Sequence, residues 1–377
     1  MTTSNTHREH WFRVDNLDEI ATPSLLINPK IVEANLDRMV ESVGGITSRL
    51  RPHVKTHKMR RIIEMKLSRG IQKFKTSTIA ETELVLASGG LDVLLAMQPV
   101  GPDTQRLCHL AEQYGDAVVT ALVDDAEVID DIHAQAMEHD LRIGIYIDLN
   151  VGMNRTGIRP GDRAIALANR ISQRSHVFLA GLHAYDGHLI GKDSVQLSKQ
   201  NSEAFEAVWD LKKNLEEQGI AVENVVGGGT PTSPMLAERN QRIEVSAGTT
   251  VLWDAGQGSR MPDCDFEPAV VIATRVRSRP TQDQICLDLG HKAVAAEMSL
   301  PRCHLLDLPD ARQVSQSEEH LVVESREAER LSVGECLFAV PMHICPTMAL
   351  HQGAWCVEDG SATEFWTIDA RDRKITV

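Results

Sequence analysis

The sequence of 377 residues lacks any apolar run close to the roughly 20 residues that a membrane-spanning helix requires. It also lacks an excess of positive charge, because 39 Lys and Arg face 53 Asp and Glu, for a formal net charge of −14. A nucleic-acid partner needs a basic face, so we expect neither a nucleic acid nor a membrane as a partner. The first residues have no apolar core of the kind found in secretory signals, and we expect a cytoplasmic protein.

Cysteine pairs with the spacing of metal or redox motifs are also absent. The seven cysteines are irregularly spaced and include no CxxC pair. In a cytosolic chain such cysteines are expected to be reduced thiols. A functional cysteine must therefore be recognised from its own neighbours.

Short apolar runs alternate with amphipathic stretches through the first two-thirds of the chain. The stretches between them repeat apolar residues at steps of three and four, as helices do. Strands joined through helices run parallel, and eight such units close a TIM-type barrel. We expect this (β/α) barrel, with an open doubly wound sheet as the alternative. The runs that we interpret as its strands are residues 24–27, 49–54, 73–76, 93–97, 117–122, 142–148, 177–183 and 224–226.

The pattern changes near Ser259, after which short apolar runs are separated by turns instead of long helices. This predicts a mostly antiparallel β domain. We expect the barrel to occupy residues 22–258. The β domain is expected to occupy residues 259–377, together with the N-terminal segment 1–21.

The segment RPHVKTHK, residues 51–58, follows the second predicted strand. Barrel enzymes build their active sites at the C-terminal ends of the strands. A lysine there, flanked by histidines, is well placed to be a desolvated amine that attacks an aldehyde. Lys55 is the candidate and Lys58 its rival. The alternative is a basic loop that contacts phosphate or solvent.

Glycines follow the last predicted strand, in GGGTPT at residues 227–232 and in SAGT at residues 246–249. Consecutive glycines let backbone amides approach an anion closely, and threonine hydroxyls add donors. The alternative is a tight turn without a ligand. The candidate phosphate-binding residues are Gly228, Gly229, Thr230, Gly248 and Thr249.

Two other strand ends, DLNVGMNRTG at residues 148–157 and HAYDGH at residues 183–188, carry side chains suited to surround an aromatic cofactor. They are Arg155, His183, Tyr185 and His188. Each alone would more often be a structural polar group, and their expected convergence on one face of the barrel favours function.

The segment PMHICPT, residues 341–347, lies in the predicted β domain. Interpreted as a strand, it directs His343 and Cys345 to the same face. Imidazole and thiolate suit a metal such as zinc, and two protein ligands fit an open site that water or substrate completes.

In this order, RPHVKTHK, GMNRTG, AYDGHL, GGGTPT and HICPT resemble the D-threonine aldolase and D-serine dehydratase family, which is related to alanine racemase. The resemblance extends from Thr22 to Arg371. It implies that Lys55 holds pyridoxal 5'-phosphate as a Schiff base, with Arg155 and Tyr185 beside the ring. It also implies a divalent metal (zinc, manganese or magnesium) on His343 and Cys345.

The resemblance further implies a homodimer whose active site lies at the subunit interface, in which the metal ligands of one chain serve Lys55 of the partner or, alternatively, of the same chain. Two positions depart from the family pattern. Thr250 stands where a tyrosine is common, and residues 341–343 read PMH instead of PNH. These departures weaken the expected phosphate contacts near Thr250.

The implied activity is that of a lyase that cleaves D-3-hydroxy amino acids to glycine and an aldehyde. The alternative is a dehydratase that converts D-serine or D-3-hydroxyaspartate to a 2-oxo acid and ammonia, and cysteine at position 345 is typical of that branch. We expect Lys55, Tyr185 and His188 to be catalytic. His188 leads His57 and His320 as the second acid or base.

Two other classes fit less well. A non-catalytic pyridoxal-phosphate-binding protein of the small barrel type would lack the C-terminal β domain. An amino-acid racemase would need a tyrosine from that domain, whereas Tyr114, Tyr146 and Tyr185 all precede it.

Overall fold

The computed structural model describes residues 10–191, 193–239 and 243–377. They divide into two compact units. One unit comprises the residues up to Arg38 together with Thr249–Asp369, and the other comprises Met39–Gly248 together with Ala370–Val377. We call them the β unit and the barrel unit.

The barrel unit contains seven parallel strands that pair in the order of the chain, β2 to β8. Several of the connecting helices begin at side-chain caps, as when Thr78 Oγ1 accepts the amide of Glu81. The strands are β2 (Lys73–Thr76), β3 (Asp92–Leu95), β4 (Val118–Val123), β5 (Ile143–Leu149), β6 (Val177–Ala184), β7 (Asn224–Gly227) and β8 (Ile243–Val245). The helices are α2 (Arg60–Leu67), α3 (Ile79–Ala87), α4 (Pro102–Gln113), α5 (Ala126–Glu138), α6 (Asp162–Ser172), α7 (Ser194–Glu217) and α8 (Ser233–Arg239), and α1 (Pro29–Glu41) precedes them.

Residues 50–53 join the two edges of this sheet. Leu50 forms a parallel bridge with Val245 of β8, and His53 forms one with Lys75 of β2. The amide of Arg51 donates to Val245 O at 3.0 Å, and the amide of Lys75 donates to Pro52 O at 3.1 Å. The segment therefore takes the eighth position and closes the sheet, which confirms the expected barrel.

The side chain of Arg51 is buried inside the barrel and fixes this segment. Its guanidinium donates to Glu244 Oε2 at 2.6 Å and to both carboxylate oxygens of Asp92, at 2.6 and 2.9 Å. Lys73 forms a second ion pair with Glu244. Planar, paired contacts of this kind suit arginine, and they hold β3, β8 and the closing segment around one cation.

The β unit contains a nine-stranded sheet that is antiparallel except where β1 runs parallel to β15. The mostly antiparallel domain expected after Ser259 is thus confirmed. Its strands are β1 (Ser24–Ile27), β9 (Val270–Ser278), β10 (Gln284–Leu287), β11 (Cys303–Leu305), β12 (Arg312–Gln316), β13 (Leu321–Glu324), β14 (Cys336–Pro341), β15 (Gly353–Glu358) and β16 (Ser361–Thr367), and its helices are α9 (Ala255–Arg260) and α10 (Ile344–Leu350).

The assignment of residues 24–27 to the barrel was wrong. This strand, β1, pairs with β9 and β15 in the β unit. Local periodicity identifies the strand but not its partners, because a buried run of four apolar residues fits either sheet. The units accordingly divide near residues 38 and 248, whereas the sequence interpretation placed the boundaries at 22 and 258.

No helix among the described residues is long and apolar enough to cross a membrane.

Arg51→Met should lower the free energy of unfolding by about 3 kcal/mol, because it removes the buried cation that pairs with Glu244 and with the half-buried Asp92. Urea denaturation of the two proteins measures the loss. The control Lys199→Met removes a cation from an exposed pair with Glu203 and should change stability by no more than about 0.5 kcal/mol. A loss below about 1 kcal/mol in Arg51→Met would contradict a central role for this arginine.

Candidate active site

A cavity of about 410 Å³ opens at the C-terminal ends of β2 to β6, within the barrel unit. Its volume lies within the range of about 300–1,000 Å³ found for small-molecule sites. Four residues singled out from the sequence line it, Lys55, Arg155, His183 and Tyr185. The loops that carry them are distant in sequence and meet because they follow neighbouring parallel strands.

Lys55 lies in a short 3-10 turn, Val54–Thr56, directly after the segment that closes the barrel. His53 holds the turn, since its Nδ1 accepts the amide of Lys55 at 3.3 Å. Gly248 packs against the same residue, and a Cβ at position 248 would lie 2.8 Å from His53 O. Gly248 therefore contributes close packing beneath Lys55, which is a structural reason for glycine at this position.

Lys58, the rival of Lys55, is directed away from the cavity. Its amine forms an ion pair with Glu81, which is fully buried and also accepts hydrogen bonds from the amide and hydroxyl of Ser77 at 2.6 and 2.7 Å. Lys58 also does not line the cavity. Of the two lysines that the sequence offered, Lys55 therefore lines the cavity and Lys58 does not.

Cationic side chains of the cavity lie around the ring of Tyr185. Lys55 Nζ lies 5.6 Å from its centroid, and Arg155 Cζ lies 5.1 Å from it. These distances are within the range of cation–π contact. The ring folds back over Gly187, where a Cβ would lie 2.3 Å from the tyrosine hydroxyl. The AYDGH sequence therefore needs glycine at its fourth position.

His188 and the GMNRTG loop are neighbours, although His188 is exposed and does not line the cavity. A Cβ on Gly152 would lie 2.8 Å from Nε2 of His188, and the φ of Gly152 is +121°. The structure thus brings the two predicted loops together. The catalytic role of His188 remains a prediction.

The two other candidate bases lie elsewhere. His57 is fully buried, its Nε2 lies 2.9 Å from Nζ of Lys66, and burial lowers its pKa well below the usual value. It is a structural residue beneath the Lys55 turn. His320 lies in the β unit, where it is exposed between β12 and β13.

His183 is buried and directed by a carboxylate. Its Nδ1 lies 2.7 Å from Asp148 Oδ1, and burial lowers its pKa, so that the ring is neutral and Nδ1 carries the hydrogen. Its Nε2 lies 3.4 Å from Nζ of Lys75, which also lines the cavity. Lys75 escaped the sequence interpretation, although a lysine near the end of a predicted barrel strand was a signal for it.

The turn Gly228, Gly229 and Thr230 follows β7 and lies beside Tyr185. A Cβ on Gly229 would lie 3.7 Å from Cε2 of the tyrosine ring. Its amide donates to Asp186 Oδ1 at 2.7 Å and to Thr232 Oγ1 at 3.0 Å. The turn is thus near the cavity. The Gly229 amide, which was predicted to bind phosphate, already donates to two side-chain oxygens.

His343 and Cys345 lie in the β unit at the start of α10, with His343 at the N-cap position. The interpretation of this segment as a strand was wrong. β14 ends at Pro341, and Pro346 fits the first helical turn because its missing N–H would have no partner there. Asp254 Oδ2 accepts the amide of Ile344 at 3.1 Å and helps to fix this helix end.

Two polar side chains, Glu297 and Thr249, contact the His343–Cys345 pair in the β unit. Contact with the Cys345 thiol raises the pKa of His343 to about 9, and Glu297, bonded to its Nδ1, acts in the same direction. Thr249, predicted to contact phosphate, has its hydroxyl 3.6 Å from Cys345 Sγ. Glu297 was not foreseen, because it is 46 residues from His343 in the sequence. Among the described residues, no group of three or more His, Cys, Asp or Glu side chains is arranged to hold a metal ion.

Comparison with known proteins agrees with this geometry. The chain belongs to the alanine racemase N-terminal domain family, which it matches over residues 27–252. Residues 269–357 match a domain described as that of a serine dehydratase.

Several relatives align along nearly the whole chain. D-threonine aldolase from Arthrobacter sp. is 28% identical over 95% of this chain and 94% of its own length. The 3-hydroxy-D-aspartate aldolase of Paracoccus denitrificans (strain Pd 1222) is 28% identical over 94% and 93%. The crystal structure of D-threonine aldolase from Filomicrobium marinum superposes with a TM-score of 0.88 at 27% identity, over 94% of this chain and 97% of that one.

Proposed function

We propose that the protein is a pyridoxal-phosphate-dependent lyase that cleaves D-3-hydroxy amino acids to glycine and an aldehyde. The observation that carries the proposal is the amine of Lys55 in a cavity shared with Arg155, His183 and Tyr185. The similarity to two aldolases over more than nine-tenths of the chain supports the choice of reaction.

The residues present fit this cofactor. The cavity has the size of a small-molecule site, an amine stands at its wall, and a glycine turn lies beside it. Lys55 would form the covalent link, and Arg155, His183 and Tyr185 would surround the ring. Gly228, Gly229, Thr230, Gly248 and Thr249 are the proposed phosphate contacts. Because the Gly229 amide is bonded to Asp186, the contact at that position would come from other atoms.

When bound, pyridoxal phosphate supplies an electron sink for the bond that breaks, and the protein selects that bond. Lys55 can hold or release a proton at Nζ. Tyr185 and Arg155 would hold the aromatic ring in the cavity that they line. His188 remains the proposed second acid or base, and it would need to reach the substrate hydroxyl directly or through one water.

A divalent metal fits the donor set of His343 and Cys345. Imidazole and thiolate are zinc ligands, and two protein ligands leave positions for water or a substrate hydroxyl. Glu297 is bonded to Nδ1 of His343 and would direct Nε2 towards the ion, as carboxylates do behind metal-binding histidines. A homodimer in which these ligands serve the partner's Lys55 is part of the proposal.

Elimination to a 2-oxo acid and ammonia is the second candidate reaction. The match of residues 269–357 to a serine dehydratase domain and the thiol ligand Cys345 favour it. Both reactions would use the same cofactor and metal. The aldolase reaction breaks the Cα–Cβ bond, whereas the elimination removes the α-proton and the β-hydroxyl, and water then hydrolyses the product to the 2-oxo acid and ammonia.

Incubation with D-threonine, D-serine and D-threo-3-hydroxyaspartate distinguishes the two reactions, if glycine, 2-oxo acid and ammonia are assayed separately. We expect glycine and an aldehyde from D-threonine, no product from L-threonine, and no turnover in Lys55→Ala. Ammonia without glycine would establish the dehydratase instead. No product from any D-substrate, with cofactor and metal supplied, would overturn the proposed function.

Cys345→Ala should lower the divalent-metal content per protein chain after dialysis on the order of tenfold or more. Elemental mass spectrometry measures this content. Cys286→Ala is the matched control, because it removes another partly exposed thiol of the β unit. Chelation should likewise abolish turnover while the cofactor colour remains. Equal metal content in the Cys345→Ala and Cys286→Ala variants would show that the His343–Cys345 pair holds no metal.

A further inference from the structure

Lys75 is a buried amine that neither the sequence motifs nor the proposed reaction assigns to a role. It is the third residue of β2 and is only 3% exposed, yet it lines the same cavity as Lys55. Burial of an ammonium group is unfavourable unless an anion accompanies it. The charges and hydrogen-bond partners around this amine therefore indicate its role.

Both polar contacts of the Lys75 amine are with neutral groups. Ser246 Oγ lies 2.6 Å away, and His183 Nε2 lies 3.4 Å away. The Ser246 hydroxyl lies 3.2 Å from Gly227 O and from Gly228 O, to which it donates, so it accepts from Lys75. His183 is neutral, with Nδ1 directed to Asp148. Neither neighbour supplies a balancing charge by direct contact.

The amines of Lys55 and Lys75 share one aromatic ring. Each Nζ lies 5.6 Å from the centroid of Tyr185. The groups that face Lys75 from the surrounding elements are His53 on the closing segment, Lys55 on the turn after it, Asp148 on β5, Arg155 on the following loop, His183 on β6, Asp186 after β6, and the neutral Ser246 after β8.

Burial, together with the nearby charge of Lys55, lowers the pKa of Lys75 to about 7, while Asp148 and Asp186 oppose the change. An amine of this kind changes its charge near neutral pH. The coupling is reciprocal, so a proton on Lys75 disfavours a proton on the nitrogen of Lys55. Reactive lysines in other enzymes are activated by such a neighbouring cation.

We infer that Lys75 is a positioning residue of the active site whose titratable charge sets the charge state of the Lys55 nitrogen, and thereby its reactivity towards an aldehyde. This inference rests on the proposed function, because it presumes that Lys55 is the cofactor-binding amine. Ser246 and the His183–Asp148 pair hold the amine in place without neutralising it.

The test is a pH titration of the visible absorbance of the cofactor-loaded protein, which follows the proton on the Lys55 nitrogen. Lys75→Arg keeps a positive charge at every pH, whereas Lys75→Met removes it. A neighbouring cation favours the deprotonated form, so the titration midpoint should be lower in Lys75→Arg than in Lys75→Met. The expected difference is on the order of one pH unit. Lys75 of the wild type loses its charge above about pH 7. If the wild-type midpoint lies above that pH, the midpoint of Lys75→Arg should therefore be lower than that of the wild type.

Lys66→Met is the matched control. Lys66 is equally buried, and burial also lowers its pKa to about 7, but its amine contacts His57 and does not line the cavity. Its removal should leave the midpoint where it is in the wild type. A purely structural role for Lys75 would change the melting temperature and leave the midpoint unchanged.

Equal midpoints in Lys75→Arg and Lys75→Met, or the reverse order, would overturn the inference. If Lys75→Met does not fold, Lys75→Gln replaces it as the uncharged variant, and equal midpoints in Lys75→Arg and Lys75→Gln again overturn the inference. Failure of the proposed function is distinguishable, because the wild type itself would then acquire no colour with pyridoxal phosphate.

Discussion

The buried guanidinium of Arg51 is the constraint on which the rest of the barrel unit depends. Its ion pairs with Glu244 on β8 and Asp92 on β3 fix residues 50–53 between the two edges of the sheet. Closure at this point places the turn that follows, and therefore Lys55, at the mouth of the barrel. One interaction thus couples the completion of the fold to the position of the candidate reactive amine.

The cavity brings three cations to one aromatic ring. Arg155, Lys55 and Lys75 all lie within 5.1–5.6 Å of the centroid of Tyr185. Burial and the neighbouring charge of Lys55 lower the pKa of Lys75, and a cluster of cations favours an anionic ligand. These are the two properties that a pyridoxal-phosphate site requires of its protein, and the alanine racemase family to which the chain belongs is consistent with them.

Much of this organisation could be predicted from the sequence, because strand–helix periodicity and glycine-containing strand ends are local signals. The barrel and the convergence of Lys55, Arg155, His183 and Tyr185 follow from them. Pairing partners are not local, so residues 24–27 were assigned to the wrong sheet. The helix that follows His343 was missed, because an apolar run before a proline resembles the end of a strand. Lys75 and Glu297 carry no motif, and only their neighbours in space reveal them.

The central claim is that Lys55 is the amine that binds the cofactor. It is tested most directly by reducing the protein with borohydride in the presence of pyridoxal phosphate, followed by digestion and mass mapping of the modified lysine. The account predicts one modified peptide, with the label on Lys55 and none on Lys58 or Lys75. A label on Lys58 or Lys75, or no specific label, would contradict it.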